Sequence, residues 1–210
     1  MSLARRLALL DWATHANAWV IEDDYLSELQ LKGRAAPALA SLDRTGRVIH
    51  IGTFSKTISP ALRLGFMVVP PSLVARFGEI AACLAPPPGP ASQSAIAAFM
   101  RDGHYLRHLR RTLAQREAAF TAAVESHFPA GTRLARPQGG YFLWLELPPG
   151  VDALRLHRQA LARGISTAPG PIFSAKREFA HSLRLNFGHP DTEAQQAAIA
   201  TLGQLVASVL

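Results

Sequence analysis

Lys56 is the residue whose surroundings best fit chemistry. It lies in Gly52-Thr53-Phe54-Ser55-Lys56-Thr57-Ile58-Ser59, a stretch rich in small hydroxyl side chains, between the apolar runs Val48–Ile51 and Leu64–Val69. Short apolar runs bounded by turn residues read as buried strands. A lysine held between two such strands can be partly desolvated, which makes its amine nucleophilic and suited to a Schiff base. Arg63 opens the second apolar run.

A second cluster lies upstream. Trp19-Val20-Ile21 reads as a buried strand and runs into Glu22-Asp23-Asp24-Tyr25. Carboxylates at the carboxyl end of a parallel strand point into the crevice where open α/β sheets bind ligands. Glu22, Asp23 and Asp24 all compete for such a role, and side-chain alternation puts Asp23 on the opposite face from its neighbours. A third candidate is Arg184, in Leu183-Arg184-Leu185-Asn186-Phe187-Gly188. An arginine between apolar residues on a buried strand needs an anionic partner. That partner is either a ligand carboxylate or a structural one, Glu146 or Glu178.

Pyridoxal 5′-phosphate makes matching demands: a lysine for its aldehyde, a carboxylate for its pyridinium nitrogen, hydroxyls and an arginine for its phosphate. Here the sequence resembles the fold-type I pyridoxal-phosphate aminotransferases of class I/II. E-D-D-Y followed by G-T-F-S-K-T-I-S-P-A-L-R-L-G-F is most similar to the aminotransferase-like domain of MocR-type (GntR-family) regulators. The resemblance covers nearly the whole chain. It implies that Lys56 forms the Schiff base and shuttles a proton, and that Asp23 pairs with the ring nitrogen. Tyr25 would hydrogen-bond the ring oxygen. Thr53, Ser55 and Arg63 would hold the phosphate, since arginine's planar fork suits phosphate oxygens. Arg184 would grip the α-carboxylate of an amino acid.

The implied fold is α/β: the C-terminal part of an aminotransferase-like large domain with a mostly parallel sheet, then a small α+β domain. The expected segments are 1–90, the remainder of the cofactor-binding domain; 91–127, a long connecting helical region; and 128–210, the small domain. The family's earlier half, with a glycine-rich helix start under the phosphate, a stacked aromatic and an asparagine, has no counterpart here. Nor does a helix-turn-helix. The chain is therefore expected to be N-terminally truncated.

These sites require elements to position them. Residues 2–17 read as a helix with Leu3, Leu7 and Leu10 on one face, 18–22 as a strand, and 72–84 as a helix with Leu73, Phe77 and Ile80 inward. Strand, helix and strand in alternation argue for a parallel sheet. Ala85-Pro86-Pro87-Pro88-Gly89-Pro90 reads as a domain-crossing connection. Ser92 should cap a helical region reaching His127, broken near Asp102-Gly103-His104. Then come a strand at 141–147, a helix at 151–163 ended by Gly164, short strands at 165–168 and 182–187, and a closing helix at 192–210.

Composition narrows the classes. The chain has 210 residues, 49% hydrophobic and 18% charged, so it can bury a core and is not intrinsically disordered. The charge of +7 and pI near 10.5 come from scattered arginines without a nucleic-acid motif, so no nucleic-acid binding is expected. No run is long enough to span a membrane. One cysteine, Cys83, fits a reducing cytoplasm and reads as a buried apolar residue. His104 and His108 share a helix face but lack a third ligand, so no metal is expected. His50 reads as a packed core residue. Three functions follow: an aminotransferase moving an amino group between an amino acid and a 2-oxo acid; the effector-sensing domain of a MocR-type regulator, binding an amino acid or amine; or an inactive remnant. The full-length parent is expected to be a homodimer.

Overall fold

The structure is a computed structural model and describes residues 1–33, 36–84, 87–190 and 192–210. The chain divides into two compact units, Met1–Leu109 and Arg110–Leu210.

The first unit holds α1 (Leu3–His15), β1 (Val20–Asp24), α2 (Leu39–Leu42), β2 (Val48–Thr53), β3 (Gly65–Val68), α3 (Val74–Leu84) and α4 (Pro90–Asp102). Ser2 caps α1, its hydroxyl accepting from the Arg5 N–H. The three strands form one sheet in the order β1-β2-β3. β1 and β2 run parallel, from Val20 opposite Val48 to Asp24 opposite Gly52. The parallel pair is permitted by the long crossover through α2. β3 returns antiparallel, with Thr53 opposite Gly65, because the loop between them carries no crossover helix. The Asp43 carboxylate organises the turn into β2, accepting from the backbone N–H groups of Thr45, Gly46, Arg47 and Val48.

Several expectations are corrected in this unit. The apolar runs do not mark strands buried on both faces: Ile21 is 66% and Trp19 47% exposed, and all four β3 residues are exposed. Only the β1 face carrying Glu22 is covered. An apolar run records a need for cover, not where the cover comes from. Leu3 and Leu7 are half exposed, and α1 buries only Ala13. Ile80 and Cys83 are exposed, and α3 contains no fully buried residue. α4 starts at Pro90 with Gly89, not Ser92, at its N-cap, as befits proline's preference for a first helical turn. Ala85 and Pro86, part of the expected domain-crossing connection, lie outside the described residues.

Gly103, in the left-handed region at φ +60°, separates α4 from α5 (His104–His127), the break expected there. From Arg110 onward the second unit contains β4 (Arg133–Ala135), β5 (Phe142–Glu146), α6 (Ala153–Leu161), β6 (Ala168–Pro169), β7 (Ser182–Asn186) and α7 (Glu193–Ala207). Its sheet is antiparallel throughout, in the order β4-β5-β7-β6. One face carries Leu143, Leu145, Leu183 and Leu185, all buried, as are Leu156 of α6 and Ile199, Leu202 and Val206 of α7. Each buried leucine or isoleucine contributes about 1.5–3 kcal/mol. β4 had no signal in the sequence. It is three residues long, and Arg133 and Ala135 do not read as strand formers. Among the described residues no helix is long and apolar enough to cross a membrane.

Candidate functional site

In the first unit the candidate residues gather at the carboxyl ends of β1 and β2. Asp23 and Tyr25 are exposed, on the face of β1 opposite Glu22. Glu22 has an inward structural role. Its carboxylate accepts from Arg6 Nη1 at 3.2 Å, from the backbone N–H groups of Leu39 at 2.7 Å and Ala40 at 3.1 Å, and lies 3.0 Å from His50 Nδ1. Burial alone would raise its pKa. The hydrogen bonds from Leu39, His50 and Ala40, together with the His50 charge, instead hold it below the ordinary carboxylate value. His50 is thus a hydrogen-bonded partner of Glu22 beneath the sheet. Asp24 accepts from the N–H of Ser27, the first residue of the single helical turn Ser27–Leu29.

The loop from Phe54 to Leu64 is tied at its neck by the Phe54 N–H to the Leu64 carbonyl, 3.1 Å. Ile58 N–H and Ser59 N–H both return to the Phe54 carbonyl, folding Ser55-Lys56-Thr57 into a turn. Thr53 Oγ1 donates to Ser55 Oγ and accepts from the Ser55 N–H, both at 3.1 Å, so the two hydroxyls stand together. Lys56 is exposed at the tip, while Thr57 beside it is buried. The Tyr105 hydroxyl at the start of α5 donates to the Thr57 carbonyl at 2.8 Å and pins the loop from behind. Ser59 caps the last helical turn by accepting from the Ala61 N–H. Arg63 ends that turn in the left-handed region, φ +49° and ψ +38°. A non-glycine residue held there is strained, a feature that gathers at functional sites.

A donor set with no internal partners is an independent test of fit to pyridoxal phosphate. Among the described residues, Lys56, Asp23, Tyr25 and Arg63 make no side-chain hydrogen bond or ion pair with the protein. An amine, a carboxylate, a phenol and a guanidinium are thus all available to a ligand, next to paired hydroxyls. This set fits the group's demands.

Arg184 lies in the second unit, opposite Trp144 across β5 and β7. Its guanidinium carbon sits over two phenyl rings, 4.2 Å from the Phe142 centroid and 4.4 Å from that of Phe173. Its Nε is buried and has no hydrogen-bond partner among the described residues. The structural partners considered for it are engaged elsewhere: Glu146 pairs with Arg133 at 2.8 Å, and Glu178 accepts from Ser174 Oγ. Phe142, Phe173 and Tyr105 were missed by sequence reasoning. Phe142 had a signal, since it shares a strand face with Trp144. The other two reach their partners through tertiary contacts alone.

The family described as aminotransferase class I and II matches residues 1–200. The chain belongs to that family. The probable rhizopine catabolism regulatory protein MocR of Rhizobium meliloti is 35% identical over 87% of this chain and 36% of its own length. Kynurenine aminotransferase of Pyrococcus horikoshii, solved with PMP, superposes with a TM-score of 0.88 at 30% identity, covering 100% of this chain and 53% of that one. LysN, the α-aminoadipate aminotransferase of Thermus thermophilus, complexed with N-(5′-phosphopyridoxyl)-L-leucine, gives 0.86 at 29% identity over 99% and 55%. The chain therefore spans roughly a third to a half of the relatives it matches.

Proposed function

We propose that the chain carries the lysine-bearing part of a pyridoxal-phosphate site that transfers an amino group between an amino acid and a 2-oxo acid. The observation that carries this reading is the set of unpartnered groups, Lys56, Asp23, Tyr25 and Arg63, at one end of the β1–β2 pair. When bound, pyridoxal phosphate supplies an electron sink that stabilises negative charge at a substrate α-carbon. The Lys56 amine would hold the aldehyde carbon and take and return a proton at Nζ. The Asp23 carboxylate would keep a proton on the pyridine nitrogen. Tyr25 would donate to the ring oxygen. The Thr53 and Ser55 hydroxyls and the Arg63 guanidinium would hold the phosphate. Arg184 would hold a substrate carboxylate. A homodimer is proposed for the full-length protein.

A second reading is favoured by the regulator relatives, at 34–37% identity, and by the Asp23-x-Tyr25 spacing. In it the same residues bind cofactor and ligand, and binding shifts a conformational equilibrium without turnover.

Addition of pyridoxal phosphate should give a visible absorption band that is absent in Lys56→Ala and trapped by borohydride at residue 56. Adding an amino acid with a 2-oxo acid acceptor then separates the readings. New amino acid product supports transfer, and a spectral change without product supports sensing. A folded chain without a Lys56-dependent band would overturn both.

A further inference from the structure

Arg184 needs an anion, but the aromatic residues around it add a further constraint. Phe142 of β5 and Phe173, the last residue of the single helical turn Gly170–Phe173, each present a ring face to the guanidinium carbon. The Phe173 ring is itself braced: Trp144 meets it edge-on with centroids 5.7 Å apart, and meets Phe179 edge-on at 5.5 Å. Phe173 is 41% and Phe179 49% exposed, so the ring beside Arg184 reaches solvent. A free arginine side chain samples many rotamers, and ordering it opposes binding. Here two π faces fix it in advance, while no carboxylate among the described residues neutralises it.

We propose that Phe142 and Phe173 are positioning residues for Arg184. By cation–π contact they hold the guanidinium ready and partly desolvated, and so give the site its preference for ligands bearing a carboxylate over amines lacking one. This rests on the reading of Arg184 as the carboxylate-binding group. An apolar ring of the same size also excludes water, so the proposal turns on the π face. Leucine at position 173 keeps the apolar bulk and loses the face, whereas tyrosine keeps it.

The test is a titration of the ¹⁵N-labelled chain, followed at the Arg184 Nε–H and backbone signals. The probes are L-phenylalanine and 2-phenylethylamine, which differ only in the carboxylate. The unsubstituted chain should bind the amino acid more tightly than the amine, and Arg184→Gln should abolish that preference. Phe173→Leu should weaken amino-acid binding about tenfold, the scale of a lost cation–π contact, with amine binding unchanged and preference restored in Phe173→Tyr. Loss of preference in Arg184→Gln with full preference in Phe173→Leu overturns the role of the rings alone. Equal binding of both probes by the unsubstituted chain, no binding of either, or preference surviving in Arg184→Gln overturns the carboxylate role of Arg184, and this proposal with it. An equal loss for both probes in Phe173→Leu marks a purely structural ring and also overturns it.

Discussion

Glu22 and His50 are register partners across the parallel β1–β2 pair, and Glu22 Oε2 lies 3.0 Å from His50 Nδ1. The same carboxylate accepts from Arg6 of α1 and from the first two N–H groups of α2. One half-buried side chain thus joins two helices to two strands. Asp23, the next residue, faces the other way and has no side-chain partner among the described residues. The alternation of a strand separates a structural carboxylate from a solvent-facing one, one residue apart.

Glu22 makes stability pH-dependent with a definite sign. Its pKa is lowered in the folded chain, so its contribution is complete above the unfolded carboxylate value of about 4.3. It is lost as pH falls through the lower folded value. Glu22→Gln should flatten this acid limb in melting temperature against pH, so its curve approaches that of the unsubstituted chain at low pH. Asp43, also lowered against the raising effect of burial by the Thr45, Val48 and Arg47 N–H groups, leaves a residual slope in both proteins. At neutral pH, Glu22→Ala should cost about 1–3 kcal/mol by stranding the Leu39 and Ala40 donors. Parallel pH curves for Glu22→Gln and the unsubstituted chain would dismiss the assignment.

Tyr105 links the start of α5 to the lysine loop. Tyr105→Phe removes only the donor to the Thr57 carbonyl and should cost about 1 kcal/mol. Its informative effect is on the neighbour. With Thr57 released, Lys56 samples more positions, and half-saturation by pyridoxal phosphate should rise several-fold although none of the proposed cofactor-binding side chains has changed. Unaltered half-saturation alongside a lowered melting temperature would mean that Tyr105 supports the fold and not the loop.

Much of the candidate site was legible in the sequence because its spacing is local. Lys56 with its hydroxyls, and Asp23 with Tyr25, lie within short stretches whose strand alternation can be read directly. Two strands of the second unit were legible for a similar reason: β5 and β7 carry strong apolar patterns. The exposure of Ile21, Phe66 and Met67 was not, because apolar character does not say which chain provides the cover. Nor was the setting of Arg184. Phe173 reaches it from a turn eleven residues upstream, and no local pattern encodes that contact.

Gly203 shows a packing constraint that reverses a general rule. Glycine to alanine inside a helix normally stabilises by about 1 kcal/mol. A Cβ at position 203 of α7 would collide with the backbone carbonyl of His127 at the end of α5. Backbone cannot move aside as a flexible side chain would. Gly203→Ala should therefore destabilise by about 1–3 kcal/mol, read as a lowered melting temperature, whereas Gly78→Ala in α3, with open space around it, should raise it. A stabilised Gly203→Ala would mean that α7 shifts freely against α5.

At Arg63 a left-handed backbone coincides with the proposed phosphate contact. Its left-handed conformation costs about 1 kcal/mol for a residue with a Cβ, and glycine would relieve that at the price of more freedom in the unfolded chain. Arg63→Gly should thus leave the melting temperature unchanged or slightly raised, while Arg63→Ala keeps the strain. Both lose the guanidinium, and both should weaken pyridoxal-phosphate binding by about 10- to 100-fold, the scale of lost charge-assisted hydrogen bonds. Arg63→Lys, which keeps charge without the planar fork, should fall between. The pairing of equal affinity loss with unequal stability is the decisive outcome. It would show that the chain tolerates strain at this position to aim a side chain at a phosphate. Full affinity in Arg63→Gly would instead make the bend a matter of loop geometry and move the phosphate contact to Thr53 and Ser55 alone.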